Sequence, residues 1–413
     1  MHVDDASLMD PGVQENPYAY YEALVRDAPV YLMPDTGYYL VSGYEELRYV
    51  IDRPEIWSND LLRHNDASMF QSAKAAQVLE DEGWARDTRL QADPPEHGDY
   101  RSVVQKSFTA GRIKKLTLLV QGLVDARLDR LAGSGRCEFM ADFAASVPIG
   151  VIANLLGLPA SDAGQIKEWS DAWVEPLSYG ISEEREIEVA RLGVDLQKYL
   201  VSWMSKKRAS PAEDVLTDLE HATFPDGTPW PIGERVGIAE HLIVGGHETA
   251  TSALGSGIML LGQNPDVEAE LRGNPALIRN FVEEVLRLES PSQGFFRYAL
   301  ADAEVGGVSI PKGAMVHVRF AAANRDPRQF PRPDKLDLHR RNAATHMAFS
   351  TGQHHCIGAP LARLELQTAF RSFIERVRSF ELSPENTFEH LPGLSLRTLR
   401  ALHIEYQLSE LPE

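Results

Sequence analysis

The 413 residues, 43% of them hydrophobic, are enough to bury a large core, and without a linker-like run, repeat or low-complexity tract they read as one domain, 1–413. A formal net charge of −19 argues against nucleic acid as a partner, because phosphate binding rests on clustered Lys and Arg. Met1-His2-Val3-Asp4-Asp5 is polar where a secretory signal would be apolar, and no stretch reaches the roughly 18 uninterrupted apolar residues of a membrane span, so a cytoplasmic protein without membrane contact is expected.

In chain order, Pro17-Tyr18 opens a helix to about Arg26, and 38–41 reads as a short strand. Ser42, with Glu45 three residues on, is a capping box for a helix that ends before Pro54. Asp93-Pro94-Pro95-Glu96 is a second start signal: an Asp cap, prolines in the first turn, and an acid near the positive end of the dipole. On that helix His97 and Arg101 share a face at i, i+4 and can clamp an anionic group, although a solvated pair is the ordinary reading of two such residues. Further helices are expected over 112–132, 142–156, 162–175 and 183–206.

The longest helix should run from Ile232 to Gly262 and stop at Asn264-Pro265, a length of roughly 45 Å. Gly237, Gly245, Gly246, Gly255 and Gly257 lie inside it, each costing about 1 kcal/mol relative to Ala. Such a helix needs close backbone approach to something. A flat macrocycle is one candidate; helix packing is the other, and it suits Gly255 and Gly257 better than the Gly245-Gly246 pair. Beta patterns follow residue 290, over 298–310, 314–320 and 395–408. The class is mostly α with a small β portion.

Two cysteines make no disulfide framework. Cys137 reads as a small buried side chain. Cys356 stands in Phe349-Ser350-Thr351-Gly352-Gln353-His354-His355-Cys356-Ile357-Gly358, just ahead of an amphipathic helix expected over 359–377. There the helix dipole and unpaired amides favour a thiolate, and Gly352 and Gly358 let the backbone turn and approach a bulky group. His354-His355-Cys356 alone would also suggest zinc, but adjacent ligands span a tetrahedron poorly and no second ligand pair exists in the chain. A buried structural cysteine is the remaining alternative.

This run resembles the cysteine-ligand loop of the cytochrome P-450 family, Phe-x-x-Gly-x-His/Arg-x-Cys-x-Gly, at Phe349, Gly352, His354, Cys356 and Gly358. Three other runs resemble the same family in its order: 93–101 its propionate-binding helix, Gly245-Gly246-His247-Glu248-Thr249 its acid–alcohol motif, and Glu284-Val285-Leu286-Arg287 its Glu-x-x-Arg signature. The resemblance implies a long central helix over a buried haem b. It implies Cys356 as the iron ligand, Phe349 packed over the sulfur, and His97, Arg101, Arg297 and His354 as propionate partners. Gly245 and Gly358 would let the backbone lie close to the macrocycle. Arg340 would join Glu284 and Arg287 in a structural ion network. Glu248 and Thr249 would interrupt helical hydrogen bonding, Glu248 feeding protons and Thr249 steadying dioxygen, while the thiolate pushes electron density toward O–O cleavage. Ala250 departs from the Thr or Ser common there, and His247, at the variable position, is expected to pack or meet water behind the helix.

The implied activity is that of a monooxygenase placing one oxygen atom from O2 into a hydrophobic substrate. Electrons would come from an external ferredoxin and its reductase, since no flavin or iron–sulfur motif stands in the chain. A peroxygenase typically lacks the acid–alcohol pair, and a haem sensor would not need it. Lys106, Arg112, Lys114, Lys115 and Arg363 are candidates for the ferredoxin surface or for an ordinary solvated face. Substrate contacts are expected from Met69, Phe70, Trp84, Trp173, Leu177, Tyr179, Ile243, Gly294, Phe295 and Leu396, with Gln293 and Thr398 each able to place a polar group.

Overall fold

The computed structural model describes residues 1–64, 70–85, 89–177 and 181–409. The chain is 57% helical with a small sheet portion, as the patterning implies. It forms two compact units, one of Met1–Ser58, Leu118–Val147 and Thr249–Glu413, the other of Asn59–Thr117 and Pro148–Glu248.

The first unit holds the sheets. β1 (Val30–Leu32), β2 (Tyr39–Val41), β3 (Trp57–Ser58), β5 (Phe295–Ala299) and β8 (Met315–Val318) form a five-stranded sheet in the order β1-β2-β8-β5-β3. β4 (Arg136–Glu138), β9 (Val377–Leu382) and β10 (His403–Leu408) form a second sheet, and β6 (Ala303–Val305) pairs with β7 (Val308–Ile310). Parallel pairing of β2 with β8 sets Tyr39 opposite Val316, and antiparallel pairing of β5 with β8 sets Arg297 opposite the same residue. Val41, Leu47, Trp57, Val316, Val318, Phe320 and Phe330 pack into a core beside this sheet. Helix Ile278–Glu289 is buried along nearly its whole length and stops where Ser290 turns left-handed at φ 39°, its N–H donating to the Leu286 carbonyl.

The regular elements described in the second unit are helical, among them Ala73–Glu82, Glu96–Gln105, Ala163–Val174 and Glu183–Ala209. Phe70, Ala75, Leu79, Ala172, Val189, Ala190 and Val194 form a core there. Ser72 and Ser182 cap two of these helices by accepting from the amides of Ala75 and Arg185. Among the described residues no helix is long and apolar enough to cross a membrane.

The central helix runs Ile232–Gln263, its residues up to Glu248 in the second unit and those from Thr249 in the first. Packing accounts for three of its glycines. A Cβ on Gly246 would come within 2.9 Å of Ile152, one on Gly255 within 2.2 Å of Met140, and one on Gly257 within 2.2 Å of Phe370. Gly257→Ala therefore sets a helix-propensity gain of about 1 kcal/mol against overpacking of about 1–3 kcal/mol. Phe370 is buried and its ring lies against Phe281 at 5.1 Å, so it has little room to yield. Net destabilisation is expected, read as a lower urea midpoint at unchanged m-value; a raised midpoint would show that the ring moves freely.

Two start signals work differently from the local reading. The helix after Ser42 is Tyr44–Ile51, with Gly43 at its cap and no side-chain cap bond. Its Tyr44 amide donates instead to Asp326, 3.0 Å away and far along the chain. Asp93 likewise accepts from the Asn59 amide at 2.9 Å, while its own carbonyl starts helix Glu96–Gln105. The helix after Cys356 ends at Arg376, and Val377 opens β9, which pairs with β10.

Candidate active site

Helix Ala359–Arg376 begins three residues past Cys356, with Gly358 at its cap. The chain before it is a tight loop in which Ser350 and Gly352 are left-handed, at φ 56° and 65°. The Cys356 amide donates to the Phe349 carbonyl at 2.8 Å and closes this loop. A Cβ on Gly358 would lie at an ordinary 3.8 Å from the Cys356 sulfur, so the sulfur alone does not demand glycine there.

Phe349 is fixed from behind. The Arg363 guanidinium lies 4.7 Å from its ring centre, and the His346 ring centre lies 5.5 Å away. Both converge on Glu283, which accepts from Arg363 Nε and Nη2 at 2.7 and 2.9 Å and stands 3.2 Å from His346 Nε2. Burial pushes the Glu283 carboxyl up, but Arg363 and His346 overcome it and hold the pKa at about 2. Glu283 escapes a reading of the sequence alone; the Glu283-Glu284 doublet is its one signal. Arg363, a docking candidate by sequence, is part of this support.

Glu284 serves a different set. Its Oε1 accepts from Arg287 Nε at 2.6 Å and Arg340 Nε at 3.0 Å, and its Oε2 from Arg287 Nη2 and the Asp337 amide, both at 3.0 Å. The two guanidiniums also donate to the carbonyls of Asn324, Pro333, Lys335, Pro331 and Arg332. The expected triad is thus present, and it pins the segment 324–340. Arg297 is buried on β5, with Nη1 donating to the Phe296 carbonyl at 2.8 Å.

In the second unit His97 is buried, and burial together with the charge of Arg101 pushes its pKa down to about 4, with Asp93 opposing. The two side chains are therefore neighbours, as their spacing implies, and His97 is neutral at ordinary pH. On the central helix, a Cβ at Gly245 would meet nothing within 4 Å, unlike one at Gly246. Glu248 is buried, with its carboxylate 3.1 Å from His247 Nδ1. Burial pushes the Glu248 carboxyl up, but the bond and charge of His247, with Lys167 and Asp171 beside it, bring it below the usual range. The helix runs on through Gly245–Thr249, and the Glu248 carboxylate faces His247 Nδ1.

These residues suit a haem. A cysteine at a helix start offers a soft thiolate ligand, His97 and Arg101 offer donors to an anionic edge, and Gly245 leaves its side of the helix open. The family model for cytochrome P450 matches residues 235–404. Over 98% of this chain and 94% of the relative, the sequence is 34% identical to cytochrome P450 monooxygenase PikC of Streptomyces venezuelae. It is 33% identical to a vitamin D(3) 25-hydroxylase of Pseudonocardia autotrophica, over 88% and 87% of the two chains. The solved structure of cytochrome P450 CREJ with (4-ethylphenyl) dihydrogen phosphate superposes with a TM-score of 0.89 at 28% identity, covering 95% of this chain and 97% of that one. The chain belongs to the cytochrome P450 family.

This P450 is accordingly an oxidoreductase of the monooxygenase type, and its cofactor is haem b. Several residues expected to meet substrate are otherwise engaged. Phe70 belongs to the core of the second unit. The Gln293 side chain accepts from the Tyr21 hydroxyl at 2.7 Å and donates to the carbonyls of Glu289 and Ser290, so it has no polar group to spare. Trp84 packs on Gly233, where a Cβ would come within 2.7 Å of its ring. Met69 and Tyr179 lie outside the described residues. Ile243 is buried, while Leu177 and Phe295 remain exposed. Of the basic residues, Arg112 is paired with Asp218 and Lys115 with Glu213, and Lys106 and Lys114 are exposed.

Proposed function

We propose that this P450 hydroxylates a medium-sized apolar molecule, consuming O2, two protons and two electrons and releasing water. The electrons come from a ferredoxin and its reductase, and we place the enzyme with them in the cytoplasm. The observation that carries the reading is the Glu248-Thr249 pair, in which a buried acid is kept ionised beside an alcohol on the central helix. The mostly apolar set of substrate candidates, and a relative named as a vitamin D(3) 25-hydroxylase, support an apolar substrate.

When bound, haem b supplies the reductive activation of dioxygen and the transfer of one oxygen atom to carbon. Cys356 would hold the iron, its thiolate being the electron-rich ligand that such chemistry needs. Phe349 and Gly358 would shield that sulfur. Arg101, Arg297, His97 and His354 would hold the propionates by hydrogen bonds, charge-assisted where the donor is cationic. Gly245, without a Cβ, would let the helix backbone approach the bound group. Glu248 holds and releases a proton at its carboxylate, and the Thr249 hydroxyl orients that proton.

Two measurements test this. A panel of steroids, fatty acids, terpenoids and aromatics should contain compounds that shift the haem from low to high spin. With such a compound and a reconstituted ferredoxin system, Thr249→Ala should lower product per NAD(P)H by on the order of a hundredfold, the lower end of what a positioned proton-transfer group supplies, while peroxide rises. The substitution slightly raises helix propensity, so folding should be unaffected. Coupling at the wild-type level would remove Thr249 from the mechanism and restore the peroxygenase reading.

A further inference from the structure

From Arg235 to Leu261 the central helix is buried at every position except His241, Gly245, Gly246 and Thr249. His241, Gly245 and Thr249 stand at i, i+4 and i+8, so they share one face of that helix. A Cβ at Gly245 would meet nothing within 4 Å, which leaves the face open between the two side chains. At i−3 and i+3 from His241 stand Ile238 and Val244, both apolar and buried. The imidazole is therefore the polar group on this stretch of the face.

No hydrogen bond, ion pair or ring contact from a described residue reaches the His241 ring. Desolvation alone lowers its pKa to about 4, so the ring is neutral at ordinary pH and no neighbouring charge sets its state. A half-buried ring that is nonetheless stripped of water faces an enclosed space rather than bulk solvent. A neutral imidazole offers one donor and one acceptor. Both suit an uncharged oxygen.

We propose that His241 anchors the substrate of this enzyme by hydrogen-bonding a hydroxyl or carbonyl oxygen on an otherwise apolar molecule. The inference rests on the monooxygenase reading and narrows its substrate class. Along the helix, eight residues separate His241 from Thr249, about 12 Å at 1.5 Å per residue. A molecule held at His241 therefore presents a carbon roughly that far from its oxygen to the Thr249 end. Such an anchor also discriminates, because an analogue without the oxygen leaves the imidazole unpaired. A carboxylate fits less well, since no cation acts on the ring to balance it. His241 is a specificity residue: it selects the substrate and the carbon presented, and takes no part in oxygen chemistry.

The test uses the full-length haem-loaded enzyme and three probes of one chain length: dodecane, dodecanol and dodecanoic acid. Spin-state titration, read without oxygen or reductant, gives a Kd for each. His241→Phe should weaken dodecanol about tenfold and dodecane hardly at all, the effect of one lost hydrogen bond. His241→Gln, which keeps a donor and an acceptor, should restore much of that loss. The carbon-monoxide band should stay unchanged in both variants. In turnover, wild type should oxidise dodecanol at a narrow set of carbons, and His241→Phe should broaden that set. Equal effects of His241→Phe on dodecanol and dodecane would reduce His241 to a packing residue and overturn the anchor. A larger loss for dodecanoic acid, or no binding of dodecanol to wild type, would overturn the uncharged-oxygen assignment. A nitrogen-ligated ferric spectrum that His241→Phe removes would place the ring on the iron instead. Because binding is read without turnover, a dodecanol-specific loss in an enzyme that forms no O2-dependent product would uphold the anchor and overturn the monooxygenase reading alone.

Discussion

Glu284→Ala is expected to yield almost no folded, haem-loaded protein. Glu284 and Arg287 are both 0% exposed at the side chain, and Glu284 takes four hydrogen bonds from two guanidiniums and an amide. Removing it leaves Arg287 and Arg340 buried with their charges unbalanced. Breaking a buried pair in this way costs about 3–5 kcal/mol, against a typical total stability of about 5–15 kcal/mol. Arg287→Ala should do the same from the other side, since it also releases the carbonyls of Asn324, Pro333 and Lys335. Arg287→Lys should rescue little, because a point-like ammonium lacks the fork that reaches all of them. Lys74→Ala is the control: Lys74 and Glu183 are 72% and 47% exposed, and such a pair contributes about 0–1 kcal/mol. Haem content per chain and the urea midpoint decide it; normal values in Glu284→Ala and Arg287→Ala would show the network to be dispensable.

What is legible in the sequence follows from how local each signal is. The ends of the central helix agree to within a residue, its stop being marked by Asn264-Pro265. The Cys356 loop and the Glu-x-x-Arg pair are legible because their residues are close in the chain. The failures are long-range. Ser42 reads as a cap until Asp326 arrives from elsewhere to take the Tyr44 amide. Val377 continues a helical pattern but is claimed by β10, a pairing no local window contains. Gly246 reads as room for a macrocycle, yet Ile152 occupies that room. Glu283 sits beside the recognised Glu284, and its task shows only when His346 and Arg363 fold back to it.

Cys356→His should abolish the long-wavelength band of the ferrous carbon-monoxide adduct that marks thiolate-ligated haem, and turnover with it. A neutral imidazole cannot supply the electron density of a thiolate, so the iron would lose its push toward O–O cleavage even where a nitrogen reached it. The fold should survive. Cys356 is only half-buried, and the backbone bond that closes its loop, amide to Phe349 carbonyl, does not involve the side chain. Cys137 supplies the internal comparison. It lies on β4 opposite Ile404, and burial with the nearby Asp142 and Glu138 pushes its thiol up to about 12. A group so reluctant to ionise makes a poor thiolate ligand. Cys137→Ala should therefore keep the band in full. A band that survives Cys356→His, or one that disappears in Cys137→Ala with haem still bound, would overturn the assignment of the iron ligand.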